Sequence, residues 1–238
     1  EHIESAVKYI ARKTVSDNAQ VLDRDYNRDA AKLLESLQLP FLRVTYEDAL
    51  ELLRENGFPN LQWGDDLKAE QEAAVVRLMN REAGTSNEAA GSHDRPTFIM
   101  RYPKEIKFFS MKVSAKDDRV ALSADLILPL AGEAVGSAVR EHDGLKLRDR
   151  LLTSTMFRLH QERGGSYQDF VWYVDDLVGA LKTRPHAGYG LGNERLIQYI
   201  LGLKDIRRCS TFSLMAEQTH DWELRSVAAE SPVASPIS

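Results

Sequence analysis

The sequence has 238 residues, with 31 Lys+Arg against 36 Asp+Glu and a formal net charge of −5. That length suits one sizeable domain with its own core, or two small ones, and the acidic balance excludes a general polyanion-coating role. The single cysteine, Cys209, excludes an internal disulfide framework and fits a reducing compartment, no apolar run is long enough to cross a bilayer, and Glu1 to Glu4 lacks the basic and apolar regions of a signal peptide.

In chain order, Ile3, Ala6, Val7, Ile10 and Ala11 fall at helical spacing and predict an amphipathic first helix. Ala30, Leu33, Leu34 and Leu37 repeat the pattern over Asp29 to Leu39. Thr45 is positioned to cap a third helix, which Gly57 ends. A fourth starts at Asp65 or Asp66 and runs to about Met79. Residues 80–97 are small, polar and aperiodic, and read as an exposed insertion loop. The pattern then changes to short β-branched runs: Thr97 to Tyr102, Ile106 to Val113, Val120 to Leu128 and Ala134 to Val139 read as strands of a meander. Asp143 to Glu162 is predicted helical, Gln168 to Val174 and Ala187 to Leu191 as strands, and Glu194 to Leu203 as a last helix. The order predicts an α+β fold, a mostly antiparallel sheet flanked by helices, over residues 1–212. Residues 213–238 are poor in large apolar side chains and read as a disordered tail.

Three segments carry candidate chemistry. Asp125 and Glu133 bracket a turn containing Pro129 and Gly132. Such carboxylates either share a hard cation or stand solvated at strand ends. Arg140 follows on the same strand, and its planar fork suits a carboxylate or amide oxygen, or an ion pair with Glu141 or Asp143. Gly188, Gly190 and Gly192 then permit close backbone approach just before a helix that opens Asn193-Glu194-Arg195, a combination suited to phosphate.

The order and spacing of these segments resemble the C-terminal part of a class II aminoacyl-tRNA synthetase, nearest to the asparaginyl subgroup and its aspartyl relatives. GYGLGNERLIQYILGLKDIR resembles that family's third signature motif, and DLILPLAGEAVGSAVRE the stretch ending Gly-Gly-Ser-Gln-Arg-Glu. VTYEDALELL, QWGDDLKAEQE, RYPKEIKFFSMK and WYVDDL match further landmarks in order. The resemblance implies a ligase, found in the cytoplasm, that joins ATP to asparagine or aspartate and passes the aminoacyl group to tRNA. It implies Asp125 and Glu133 as holders of Mg²⁺ and ATP. It implies Arg195 as the catalytic contact to the ATP phosphates, with Gly190, Gly192, Asn193 and Glu194 around the nucleotide. Arg140 and Gly188 then face the amino acid.

The same comparison shows departures. The family places motif 1, which builds its homodimer interface, and the ATP-binding motif 2 upstream of the first helix here, so the sequence corresponds to the C-terminal catalytic part and is expected to be inert alone. Gly-Gly-Ser-Gln-Arg-Glu has become Gly-Ser-Ala-Val-Arg-Glu, which is expected to put the Ser137 side chain beside the amino-acid pocket. Asn193 replaces a common Phe or Ala, and the family run after motif 3 is altered at Arg208 to Leu214. These changes leave two further readings open, an adenylate-forming paralogue with a non-tRNA acceptor and a degenerate binding module.

Overall fold

The computed structural model describes residues 1–85, 93–180 and 183–210. The chain opens with three helices, α1 (His2–Asp17), α2 (Ala19–Asp25) and α3 (Ala30–Ser36), then β1 (Leu42–Thr45), α4 (Tyr46–Glu55) and α5 (Ala69–Glu82). Thr45 caps α4 by accepting from the Asp48 amide, as its sequence predicts. Strands β2 (Thr97–Met100), β3 (Ser123–Leu128) and β4 (Gly132–Val139) follow, then α6 (Gly144–Thr153), α7 (Thr155–Glu162), β5 (Ala187–Leu191) and α8 (Asn193–Leu201).

The sheet runs β1-β2-β3-β4-β5. β1 lies parallel to β2 and the other three pairings are antiparallel, so the sheet is mostly antiparallel, as the sequence predicts. Helices cover its two faces unequally. On one face Val7, Ala11, Leu33, Leu196, Tyr199 and Ile200 of α1, α3 and α8 pack on Phe98, Leu126 and Val135. On the other, α4 and α5 bring Leu50, Leu53, Val75 and Val76 onto Val44, Ile99 and Ile127. That second covering reaches only the Gly132–Glu133 start of β4, where α5 brings Glu72. Across β4 and β5 the same face carries Gly136, Ala138, Gly188 and Gly190, and Gly136 and Gly190 are exposed.

Several predicted elements are corrected. β1 was missed because four residues between two helices give too short an alternation to register. Ile106 to Val113 is not a strand; its β pairing is limited to isolated bridges, Met111 to Arg140 and Val113 to Ala121. Gln168 to Val174 is helical, split between a 3-10 turn (Tyr167–Phe170) and a π-helix (Trp172–Ala180), because its aromatic residues pack with Phe109 and Phe157 in a third apolar cluster rather than along a ladder. The helix predicted over 143–162 breaks at Ser154, which caps α7 by accepting from the Phe157 amide. Of the loop predicted over 80–97, residues 86–92 lie outside the described residues, and its two ends are tied down. α5 continues to Glu82, and fully buried Asn80 accepts from the Arg95 amide at 2.8 Å while donating to the Val76 and Arg95 carbonyls. The tail predicted over 213–238 lies outside the described residues.

One buried carboxylate joins the helical layer to the sheet. Glu4 of α1 accepts from the Phe41 amide at 2.8 Å and pairs with Lys8 and Arg43. Burial opposes its charge, but these partners outweigh burial and hold the carboxyl below its ordinary value. The stability this contributes is present above the ordinary carboxylate range and is lost as the pH falls through the lowered folded value. Glu4→Gln is therefore expected to cost about 1.5–3 kcal/mol at pH 7. Melting curves should show the deficit shrinking as the pH is lowered toward 3; a deficit independent of pH would contradict this role.

Candidate functional site

The open face of β4 is set by an irregularity in its pairing with β3. Leu126 opposes Val135, but Ile127 opposes Glu133, so Ala134 is an extra residue. Ala134 and Val135 consequently both point into the cluster beneath α1 and α8, while Glu133 turns to the other face alongside Ile127. Without the bulge, the odd separation from Glu133 to Arg140 would put them on opposite faces. With it, Glu133, Gly136, Ala138 and Arg140 share one face. A shared site for Glu133 and Arg140 requires such a kink, for which Gly136 is the residue the sequence offers; the structure has it at Ala134.

Gly136 opposes Asp125 and is the notch between the two predicted acids. A Cβ there would stand 3.0 Å from Glu133 Oε1 and 3.9 Å from Asp125 Oδ1, so both carboxylates aim at the space that this glycine leaves open. Asp125 is 3% exposed, which removes the solvated reading for it, whereas Glu133 stands at the exposed rim. Burial raises the carboxyls of both. Lys107 opposes that rise at Asp125, and at Glu133 the Asp125 charge adds to it.

Arg140 lies at the far end of β4. Its guanidinium donates to Ser110 Oγ at 3.0 Å, and a Cβ on Gly188 would come within 3.9 Å of it, so those two predicted residues adjoin. Its predicted ion pairs with Glu141 and Asp143 do not form among the described contacts; Glu141 turns inward and accepts from the His142 and Asp143 amides. At the other end, Arg195 on the first turn of α8 donates to the Ala131 carbonyl at 2.6 Å and lends positive charge to Glu133. Gly192 caps α8 and donates to the Ala134 carbonyl, closing the bulge against the helix. Asn193 and Glu194 are exposed on that first turn, and Gly190 opens on free space. The sequence expectation for Ser137 is corrected: it alternates away from Gly136, its hydroxyl donating to the Ala124 carbonyl on the opposite face, so it does not border Arg140.

Three neighbours escaped the sequence reading. Glu72 of α5 accepts from the Glu133 amide, and its carboxylate lies with the Arg195 guanidinium beside Gly132. Lys107 forms an ion pair with Asp125 and sits 3.8 Å over the Tyr102 ring. The Tyr102 hydroxyl also hydrogen-bonds Asp125. Glu72 lies in QWGDDLKAEQE and Lys107 in RYPKEIKFFSMK, so the landmarks were visible but not the partners of individual residues. Between α5, the β3–β4 turn and α8 the site continues into a cavity of about 720 Å³ bordered by Glu72, Glu133 and Arg195.

Among the described residues no three acidic, His or Cys side chains are grouped as a metal cage. Two carboxylates converging on a glycine notch instead fit Mg²⁺ shared with ligand phosphates, since that ion keeps water and phosphate oxygens in its shell.

The family model described as tRNA synthetases class II (D, K and N) matches residues 1–216. The chain belongs to this family. Asparagine–tRNA ligases of Pyrococcus furiosus and Pyrococcus horikoshii are 35% and 34% identical to it over 210 residues, 88% of this chain and 42% of each relative. The crystal structure of asparaginyl-tRNA synthetase from P. horikoshii superposes with a TM-score of 0.72 at 32% identity, covering 89% of this chain and 44% of that one. The same synthetase complexed with asparaginyl-adenylate gives a TM-score of 0.69 at 34% identity, over 87% and 42% of the two chains. The chain thus spans less than half the length of these relatives.

Burial, followed by the charges of Glu133 and Asp125, pushes the Glu72 carboxyl up to about 7. A raised carboxyl favours folding below its unfolded value and loses that contribution as the pH rises toward 7. Glu72→Gln, which still accepts the Glu133 amide, should therefore melt higher than the wild type at pH 8 and equal to it near pH 4. A lower melting temperature at pH 8 would contradict this electrostatic account.

Proposed function

We propose that this chain carries the substrate-activating site of an asparagine–tRNA ligase. In this reading the carboxylate of asparagine attacks the α-phosphorus of ATP, pyrophosphate leaves, and the asparaginyl group of the adenylate then passes to tRNA. The observation that carries the reading is the single face of β4, with acids and an arginine at one end, an arginine at the other and glycines between. The class II family and the asparagine-specific relatives support it.

Asp125 and Glu133 would hold Mg²⁺, which neutralises phosphate charge when bound. Arg195 stabilises the charge of the phosphates and of the leaving pyrophosphate, in a site where preorganised donors need little rearrangement. Gly190 and Gly192 allow the nucleotide close to the backbone, and Asn193 and Glu194 flank it at the start of α8. Arg140, steadied by Ser110, donates to the side-chain oxygen of the amino acid above Gly188. A guanidinium serves an amide and a carboxylate oxygen alike, so asparagine is preferred to aspartate here on the strength of the relatives. For the whole ligase the proposed setting is a cytoplasmic homodimer, as is typical of the family. Among the described residues no helix is long and apolar enough to cross a membrane.

Chemistry of this kind needs orientation and charge neutralisation rather than a protein nucleophile. Removing Arg140 strips the amino acid of a charged partner and takes nothing from the phosphates. Arg140→Ala is expected to weaken asparagine binding tenfold or more, about 1.4 kcal/mol per decade, and to change ATP binding less than twofold, both measured by calorimetry. Equal losses for the two ligands, or intact asparagine binding, would overturn the assignment.

A further inference from the structure

Asp125 is among the most buried carboxylates of the described residues, and the cation that faces it is supplied by the chain itself. The side chains of Lys107 and Asp125 are 17% and 5% exposed, and the ammonium is also held over the Tyr102 ring. Lys107 does not belong to a regular element. It comes from the segment between β2 and β3, whose position is fixed from outside the site: half-buried Arg150 of α6 donates to the Met111 and Lys104 carbonyls, and the Lys112 amide donates to the Val139 carbonyl. The ammonium is thus tethered on Asp125 Oδ2, next to the Oδ1 that faces the Gly136 notch. Three residues later the same segment presents Ser110 to Arg140, and the Glu141 amide donates to the Ser110 carbonyl. A single irregular segment therefore touches both the acid pair and the arginine at the far end of β4.

Building on the ligase reading above, we infer that Lys107 is a tethered counter-ion: it holds Asp125 while the acid pair carries no metal, and a divalent cation must displace it to use both carboxylates. A dication in the Gly136 notch would share Asp125 with an ammonium already in contact with it. Like charges at such separations repel strongly where burial limits solvent screening. Lys107 therefore sets a threshold for cation binding.

The test uses Mn²⁺ alone as the probe, titrated into the full chain and read by the paramagnetic signal of free ion. Lys107→Met keeps the length of the side chain and removes its charge, and it should bind Mn²⁺ at least tenfold more tightly than the wild type. Lys107→Arg keeps the charge and should stay within threefold. In the wild type, the Lys107 side-chain ammonium resonance, held distinct by its ion pair with Asp125, should shift toward that of solvated lysines as diamagnetic Mg²⁺ saturates the chain. That measurement needs no variant to fold. Equal or weaker Mn²⁺ binding by Lys107→Met, or an ammonium signal unmoved at Mg²⁺ saturation, would overturn the counter-ion role. Those failures leave the Arg140 test of the ligase reading untouched, whereas failure of the Arg140 test would remove the ligase reading itself.

Discussion

The site depends on one extra residue. Ala134 shifts the register of β4 against β3, and with it the parity of everything downstream on the strand. Because side chains alternate with a period of two, a single insertion exchanges the faces of all residues beyond it. Here it lets Glu133 face outward while Ala134 and Val135 both enter the core, and it delivers Gly136, Ala138 and Arg140 to the face of Glu133. The bulge is secured from both sides. The Gly192 amide donates to the Ala134 carbonyl, and apolar neighbours beneath α1 and α8 bury both bulged side chains.

The surrounding fold supports this strand without covering it. α8 holds the β3–β4 turn through Arg195 on the Ala131 carbonyl and Gln198 on the Leu130 carbonyl, so the helix that supplies Arg195 also fixes the turn between the acids. The end of α8 is held in turn by buried Arg28, which donates to the Tyr199 and Ile200 carbonyls, where the helix dipole favours a cation. Arg150 does the corresponding work for the segment that bears Lys107 and Ser110. Rigid elements on three sides therefore position the site residues, while β5 and the exposed glycines leave the face over β4 accessible.

Much of this was legible in the sequence because it rests on local rules. The amphipathic spacing of Val7 and Ala11, the Thr45 cap and the glycine-flanked β5 follow from periodicity and turn chemistry, and parity required a kink between Glu133 and Arg140 if the two were to share a face. Pairing at a distance was less legible. Nothing local tells that Leu42 to Thr45 joins β2, or that Lys107 faces Asp125 across 18 positions. Gln168 to Val174 misled because aromatic residues favour strands in general and here serve a small helical cluster instead. Ser137 misled because its neighbourhood was judged by adjacency along the chain, whereas alternation sends it to the opposite face.

Everything proposed for this site requires ligands to occupy the face of β4 that bears Glu133, Gly136 and Arg140. A crystal structure of the protein with asparagine, Mg²⁺ and a non-hydrolysable ATP analogue tests this most directly. The prediction is phosphate density beside Glu133 and Arg195, with the asparagine side chain at Arg140 above Gly188. Ligand density on the opposite face, among Ala124, Ser137 and Tyr189, would contradict it.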